Sequence, residues 1–411
     1  MRPPLLFLLL ATPLAAQAPL PVPVQAALTR LERDNAWLLA QQVALCEIPA
    51  PSFQEGPRGQ AFASRLTALG LSARVDAVGN VIAERRGRGR GATVVLAAHL
   101  DTVFPEGTDV RVTREGNTFR GPGIADDCRG LAILLAVARA LGEAQVETDG
   151  TLLFVATVGE EGLGNLRGVR HLFERELTGR VDAFITVDVS QFQVVRQGPG
   201  SHRYTVTFRG PGGHSFQQFG MPNPIHAAGR ALARIADFQV PSSPKTTFNV
   251  GTIVGGRSVN AIPDSAAFTV EWRSESPEAL AALDAQLLAV LDTALAAERA
   301  RWPQSTAPLT VTVDTLGIRP AGATSDTSRL VRTALATARR LGAAPTWGLA
   351  STDANLPMSL GIPAIAIGHG GEAEGAHSLG ESYTEGPASF RGPQWALLLV
   401  TELAGVAGAR P

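Results

Sequence analysis

Residues 121–130 have the sequence Gly-Pro-Gly-Ile-Ala-Asp-Asp-Cys-Arg-Gly, a turn with two adjacent carboxylates directly before an apolar helical run. A buried-strand pattern lies on each side of this turn, at 94–98 and at 152–158, and each pattern ends in residue types that bind metals. In α/β folds, functional sites gather at the carboxyl ends of strands. We therefore predict an α/β fold in which the three groups converge, with Asp126 at the centre.

The polar groups that end these strands have the chemistry of a metal site. His99 and Asp101 lie on one face of the first strand pattern, so the carboxylate can hold the imidazole or share its metal. Glu160 and Glu161 follow the second, and two adjacent carboxylates after a buried strand repel each other unless a cation or a proton compensates. A metal would let one carboxylate bind while the other acts as a base. A further apolar strand pattern ends in Asp188.

Simpler explanations stay open for individual residues. Acidic residues such as Asp126 and Asp127 often cap helices, and an isolated His-x-Asp is usually structural. Cys46 and Cys128 are the two cysteines of the chain and could form a disulfide. Cys128 could also supply a thiolate ligand, although nitrogen and oxygen ligands already suffice. The histidines to which we assign no role are His171, His202, His226 and His369.

Length and composition set the size and class of the protein. The chain has 411 residues, of which 45% are hydrophobic, enough to bury a large core and to form two or three domains. A formal net charge of -1 argues against a nucleic-acid partner or an anionic membrane surface. The prediction therefore includes no nucleic acid.

The amino terminus has the features of a secretory signal peptide. Residues 1–18 contain one arginine, a short apolar run and an Ala-x-Ala-like end, with cleavage after Ala16 or Ala18. The apolar run is too short to span a membrane as a mature helix. We therefore expect a secreted or periplasmic protein without stable membrane insertion.

The mature chain divides into an α/β part and an insert. It opens with a predicted amphipathic helix at 25–46, and the α/β pattern occupies 19–199 and 315–411. Between them, residues 200–314 predict the order strand-helix-strand-strand-helix-strand, which is the ferredoxin-like unit. This order predicts a catalytic domain that is interrupted by a smaller α+β domain.

Five short motifs occur in order along the chain. They are His-Leu-Asp-Thr at 99–102, Gly-Pro-Gly-Ile-Ala-Asp-Asp at 121–127, Gly-Glu-Glu-Gly at 159–162, Gly-His-Ser at 213–215 and Ala-His-Ser at 376–378. Together they resemble the co-catalytic zinc exopeptidase and aminoacylase family, which includes peptidase T, glutamate carboxypeptidase and succinyl-diaminopimelate desuccinylase. The resemblance covers nearly the whole mature chain. It implies a mixed sheet flanked by helices, with the ferredoxin-like insert acting as a lid and dimerisation domain.

The resemblance also implies a ligand set. Two Zn²⁺ ions per subunit, separated by about 3.5 to 4 Å as in other two-metal sites, would be bridged by Asp126. His99 and Asp188 would complete the coordination of one ion, and Glu161 and His377 that of the other. The peptide bond that follows the bridging aspartate would be cis.

Roles for the remaining site residues follow from the same resemblance. Asp101 would orient the first histidine ligand, and Glu160 would take a proton from the metal-bridging water and deliver it to the leaving amine. His214 would reach into the site of the partner subunit and stabilise the oxyanion, which implies a homodimer. Arg273 and Asn260 would contact substrate, the arginine by gripping a carboxylate.

The resemblance predicts a secreted di-zinc hydrolase, an exopeptidase that cleaves short peptides and is similar to peptidase T. The alternative is a deacylase or carboxypeptidase that acts on N-acyl amino acids. A non-catalytic binding protein on the same scaffold would have lost Glu160 or several ligands, and none is missing. The absence of a Gly-x-Ser-x-Gly motif disfavours serine hydrolysis.

Overall fold

The structure is a computed structural model that describes residues 19–408. The predicted signal peptide therefore lies outside the described residues. The strands, in chain order, are β1 Ala73–Val75, β2 Val81–Arg85, β3 Val94–His99, β4 Thr113–Glu115, β5 Thr118–Arg120, β6 Leu152–Thr157, β7 Ala183–Val189, β8 Gln193–Val195, β9 Gln197–Gly198, β10 Gly200–Arg209, β11 Gly213–His214, β12 Thr246–Gly255, β13 Ala261–Ile262, β14 Ser265–Ser274, β15 Thr310–Arg319, β16 Gly322–Ala323, β17 Thr346–Gly348, β18 Ala364–Gly368, β19 Glu372–Glu374 and β20 Ser382–Thr384.

Helices alternate with these strands over most of the described chain. In chain order they are α1 Val22–Arg33, α2 Asn35–Cys46, α3 Gly56–Ala68, α4 Cys128–Glu143, α5 Arg167–His171, α6 Pro224–Ala236, α7 Pro277–Arg301, α8 Arg329–Arg340, α9 Asn355–Ser359 and α10 Arg391–Ala404. A 3₁₀ turn at Gly162–Gly164 and a π turn at Leu172–Glu176 add to them.

A mixed sheet of eight strands forms the main layer, in the order β1-β2-β6-β3-β7-β18-β8-β17. The four central strands, β6, β3, β7 and β18, run parallel to one another, whereas β2 and β8 flank them in antiparallel orientation. Every residue of β3 and β6 is buried, as expected for parallel strands covered on both faces. Because these strands share a direction, their carboxyl ends meet at one edge of the sheet, and the mixed α/β fold is confirmed.

Alternate side chains of the central strands belong to two separate cores. In β3, Leu96 packs into the core under α1, α2, α4 and α10, whereas Val95 and Ala97 pack on the opposite face against residues of α5 and α9. Nearly all of α4 is buried because it lies between the sheet and the helices α1, α2 and α10. The amino end of α4 is thereby fixed at the edge where the strands end.

The opening segment forms two helices, so the prediction of one helix at 25–46 was wrong. Asp34 interrupts it with φ -94° and ψ 18°, and its carbonyl oxygen accepts a hydrogen bond from Trp37 N–H at 2.9 Å. Its carboxylate accepts from the Arg33 guanidinium at 2.7 Å, which gives the turn a local partner. The break lets α1 and α2 both pack against α4.

The insert is a four-stranded antiparallel sheet in the order β12-β14-β10-β15, with α6 and α7 on one face. Counted along the insert, these four main strands have the order 2-3-1-4, which is the ferredoxin-like arrangement. By length and composition, α7 is the one described helix that could cross a membrane. Here four of its leucines, at helical spacing, pack into the core of the insert: Leu280, Leu283, Leu287 and Leu291.

Candidate metal centre and active site

Three chain segments bring the first group of donor atoms together. His99 ends β3, Asp188 lies in β7, and Asp126 lies in the turn before α4. His99 Nε2 lies 2.8 Å from Asp126 Oδ1 and 3.6 Å from Asp188 Oδ1. These three residues each place a ligand atom within 4.8 Å of the others.

The second oxygen of Asp126 faces a second group of donors. His377, in the loop after β19, has its Nε2 3.2 Å from Asp126 Oδ2 and 3.1 Å from Glu161 Oε1. The φ of His377 is 65°, a left-handed value that is uncommon for residues other than glycine. One carboxylate therefore lies between two histidines, and each histidine has a further carboxylate close by.

The charges of this cluster need a positive partner. Burial opposes protonation of His99, but hydrogen bonds with Asp126 and Asp188 raise its pKa well above the usual range. Hydrogen bonds with Asp126 and Glu161 raise the pKa of His377 to about 10. Burial raises the pKa of Asp188 to about 6. In this arrangement protons on the two histidines balance the carboxylates, a role that a metal cation also fills.

Buried carboxylates hold the turn that carries Asp126. The peptide bond between Asp126 and Asp127 is cis, and Asp127 accepts hydrogen bonds from His99 N–H at 3.1 Å and Gly130 N–H at 2.9 Å. Glu381 accepts three more, from the N–H groups of Gly123 (3.0 Å), Ala125 (2.9 Å) and Asp126 (3.0 Å). Glu381 was not among the site residues predicted from the sequence. Its one signal was its position four residues after His377.

Asp101 lies beneath the glutamate pair. Its carboxylate accepts hydrogen bonds from Glu160 N–H at 3.0 Å, Glu161 N–H at 2.9 Å and the Ser52 hydroxyl at 2.6 Å. His99 Nδ1 lies 3.0 Å from the carbonyl oxygen of Asp101 and 3.8 Å from its carboxylate. In the structure the main chain of Asp101 therefore contacts the imidazole, while its side chain holds the main chain of the two glutamates.

Glu160 is buried beside the two donor groups and pairs with a residue that sequence analysis missed. Arg319 Nη1 donates to Glu160 Oε1 at 3.0 Å, and Arg319 Nη2 donates to the carbonyl oxygen of Glu160. Burial raises the pKa of Glu160 well above its usual range, and Arg319 opposes that shift. Arg319 is the last residue of β15, so the insert extends past residue 314 into the site.

A cleft of about 390 Å³ opens above the donor cluster, between the catalytic segments and the insert. Arg273 lies on its wall, as does Arg203 of the neighbouring strand, and both donate to the Glu271 carboxylate, at 2.7 and 2.6 Å. His214 and Asn260 are exposed on the insert and do not line this cleft of their own chain.

The other candidate ligands lie elsewhere. Cys46 and Cys128 are both buried and free, and neither belongs to a donor cluster among residues 19–408. His369 is buried against the ring of Tyr383, with a centroid distance of 5.4 Å, and is a packing residue. His171 belongs to a separate group of donor atoms with two acidic residues, Asp76 and Glu176.

Comparisons with known proteins find a matching family model and a similar curated protein. A family model described as peptidase family M20/M25/M40 matches residues 95–391. The acetylornithine deacetylase of Myxococcus xanthus is 32% identical over 232 residues, which are 51% of this chain and 59% of that protein.

Two solved structures have a similar fold. Aminopeptidase PepT from Bacillus cereus has a TM-score of 0.69 at 22% identity, covering 92% of this chain and 98% of that one. A Bacillus subtilis protein described as a dinuclear metal binding peptidase has a TM-score of 0.67 at 20% identity, covering 90% of this chain and 99% of that one.

Proposed function

This chain belongs to peptidase family M20/M25/M40 and is a hydrolase, and we propose that it is a di-zinc exopeptidase that cleaves the amide bonds of short peptides. The observation that carries the proposal is the Asp126 carboxylate, whose two oxygens face His99 and His377 in separate donor groups. Glu160 lies beside both groups with its carboxylate buried. A carboxylate placed to bridge two ions, next to a buried base, suits two-metal hydrolysis.

The donor set fits zinc. Zinc binds histidine nitrogen and carboxylate oxygen at about 2.0 to 2.2 Å, so two ligand atoms at a tetrahedral angle lie about 3.3 Å apart. The separations of 2.8, 3.1, 3.2 and 3.6 Å between the donor atoms bracket that value. Asp126 would bridge two ions, with His99 and Asp188 on one and Glu161 and His377 on the other. When bound, the ions supply Lewis-acid polarisation of the scissile carbonyl and lower the pKa of water.

The residues around the donors then have separate tasks. The two hydrogen bonds of Arg319 go to Oε1 and the carbonyl oxygen of Glu160, which leaves Oε2 to accept a proton from the attacking water and return it to the leaving amine. Asp101 holds the backbone of Glu160 in place. Arg273 grips a substrate carboxylate in the cleft.

A deacylase or carboxypeptidase for N-acyl amino acids is the second candidate. Arg203 and Arg273 share one acidic partner, Glu271, so this wall of the cleft carries a net positive charge that suits a free α-carboxylate. The 32% identity with an acetylornithine deacetylase favours the same reading. Both candidates use the same hydrolytic centre and differ in the group attached to the scissile amide.

We also propose that the protein is exported and acts as a homodimer. Export rests on the signal-peptide pattern of residues 1–18. The dimer rests on His214, which is exposed on the insert and away from its own cleft, where a partner subunit's site can receive it.

The experiment that tests the activity is mass spectrometry of a defined peptide mixture. Free, N-acylated and C-amidated di- and tripeptides are incubated with the zinc-loaded protein, and a chelated sample is the control. Loss of peptides with a free amine, including the C-amidated ones, would establish an aminopeptidase. Loss of only N-acylated substrates with a free carboxylate would establish the deacylase or carboxypeptidase. No loss of any peptide would refute amide hydrolysis on this substrate class.

A further inference from the structure

We propose that Arg319 is a positioning residue for Glu160, through which the insert sets the geometry of the proton-transferring carboxylate. The inference rests on the proposed role of Glu160 as base. It assigns the insert a part in catalysis that is distinct from covering the cleft or joining two subunits.

The contact joins two points on one residue. One guanidinium nitrogen of Arg319 donates to the carboxylate of Glu160 and another donates to its carbonyl oxygen. A planar guanidinium that holds a side chain and its own main chain at once fixes the side-chain torsions between them. Only 7% of the Arg319 side chain and 6% of the Glu160 side chain are exposed, so water competes little for these bonds.

The catalytic core does not supply this restraint. Asp101 accepts from the backbone N–H groups of Glu160 and Glu161, which holds the main chain and leaves the Glu160 carboxylate unconstrained. Among the hydrogen bonds of the described residues, the partner of Glu160 Oε1 is Arg319. The orientation of the carboxylate is therefore set from the insert.

The segment after Glu160 is fastened to the insert as well. Arg203 of β10 donates to the carbonyl oxygen of Gly162 at 2.8 Å. The loop that carries the base thus lies between Asp101 on the core side and β10 and β15 on the insert side. A displacement of β15 would release Oε1 while leaving the donor cluster in place.

The test separates positioning from simple support of the fold. Arg319→Gln removes the charge and the two-point guanidinium contact, whereas Arg319→Lys keeps the charge on a single ammonium nitrogen. Arg170→Ala is the matched control. Arg170 of α5 donates to the carbonyl oxygen of Ile318, the residue before Arg319 in β15, and does not touch Glu160.

For Arg319→Gln we expect kcat to fall about a hundredfold while KM stays within about twofold, since misplacing a reacting group by 1 Å costs about that factor. Arg319→Lys should lose roughly tenfold, and it provides a second variant if Arg319→Gln does not fold. Arg170→Ala should stay within about twofold of wild type, and all variants should retain two equivalents of zinc. A kcat for Arg319→Gln within about threefold of wild type would overturn the proposal.

A second measurement does not depend on turnover. Arg319→Gln should lower the melting temperature of the zinc-loaded protein, because the buried Glu160 carboxylate loses its partner. In a Glu160→Gln background the same substitution leaves no unpaired charge, so it should lower the melting temperature by less than half as much. Equal losses in both backgrounds would overturn the contact. If the wild-type protein cleaves no amide, the proposed function fails, and the melting comparison still decides whether Arg319 holds Glu160.

Discussion

Replacing Glu381 with alanine should loosen the turn that carries Asp126 and weaken zinc binding. Glu381 is buried and accepts three backbone hydrogen bonds from Gly123, Ala125 and Asp126, at 2.9 to 3.0 Å. Within residues 19–408, no other side chain accepts a hydrogen bond from these three N–H groups. Alanine leaves them without their partner at the position where the bridging carboxylate is held.

The magnitude follows from the count of bonds. A buried donor left unsatisfied costs about 1 to 3 kcal/mol, so three of them cost roughly 3 to 6 kcal/mol in the free energy of unfolding when some relaxation is allowed. Burial also destabilises the ionised carboxylate of Glu381 and raises its pKa to about 7. Replacement by alanine removes that cost, so the expected loss in the free energy of unfolding lies in the lower half of the range. Glu381→Gln keeps an acceptor for two donors and loses the third, which costs about 1 to 3 kcal/mol.

Two assays read the effect. Urea unfolding of the zinc-loaded protein gives the change in free energy, and competition with a chromophoric chelator gives zinc affinity, which should fall by about 10- to 100-fold for the alanine variant. Glu374→Ala is the matched control because Glu374 is an exposed glutamate near the same loop, where a change within about 0.5 kcal/mol is expected. Equal stability and equal zinc affinity of Glu381→Ala and Glu374→Ala would contradict a role for Glu381 in holding this turn.

Three further predictions concern the base, the partner subunit and pH. Glu160→Gln should retain both zinc equivalents and lose nearly all turnover, and near-wild-type turnover would remove its assignment as base. His214→Ala should be inactive alone and regain activity when mixed with Glu160→Gln under verified subunit exchange; no recovery would contradict action in the partner's site. Burial and Arg129 lower the pKa of His369 from 6.5 to about 3, so the stability contributed by its neutral ring is present above pH 6.5 and lost as the pH falls toward 3. His369→Gln should therefore lose less stability than wild type between pH 7 and 5, measured by urea midpoints, and identical pH profiles would contradict a neutral buried ring.

Local patterns were enough to predict the fold class, and the five short motifs carried the resemblance to the family. Apolar runs that end in polar groups at His99, Glu160 and Asp188 indicated parallel strands, which are β3, β6 and β7. The break at Asp34 was not predictable, because the apolar spacing continues across it and the packing of two helices on α4 decides where the chain turns.

The sequence by itself determined which side chains end the central strands. Runs of apolar residues mark buried strands, and the polar residue that follows each run marks where the strand ends. Only the tertiary structure decided that Arg319 pairs with Glu160 and that Glu381 holds the turn of Asp126. The first pair is separated by 159 positions in the sequence and the second by 255. The local sequence around an arginine at a strand end, or a glutamate in a polar loop, is the same whether the side chain is solvated or paired with a buried group. The packing of the insert and of the loop after β19 against the catalytic core removes water from these groups, and that packing selects their partners.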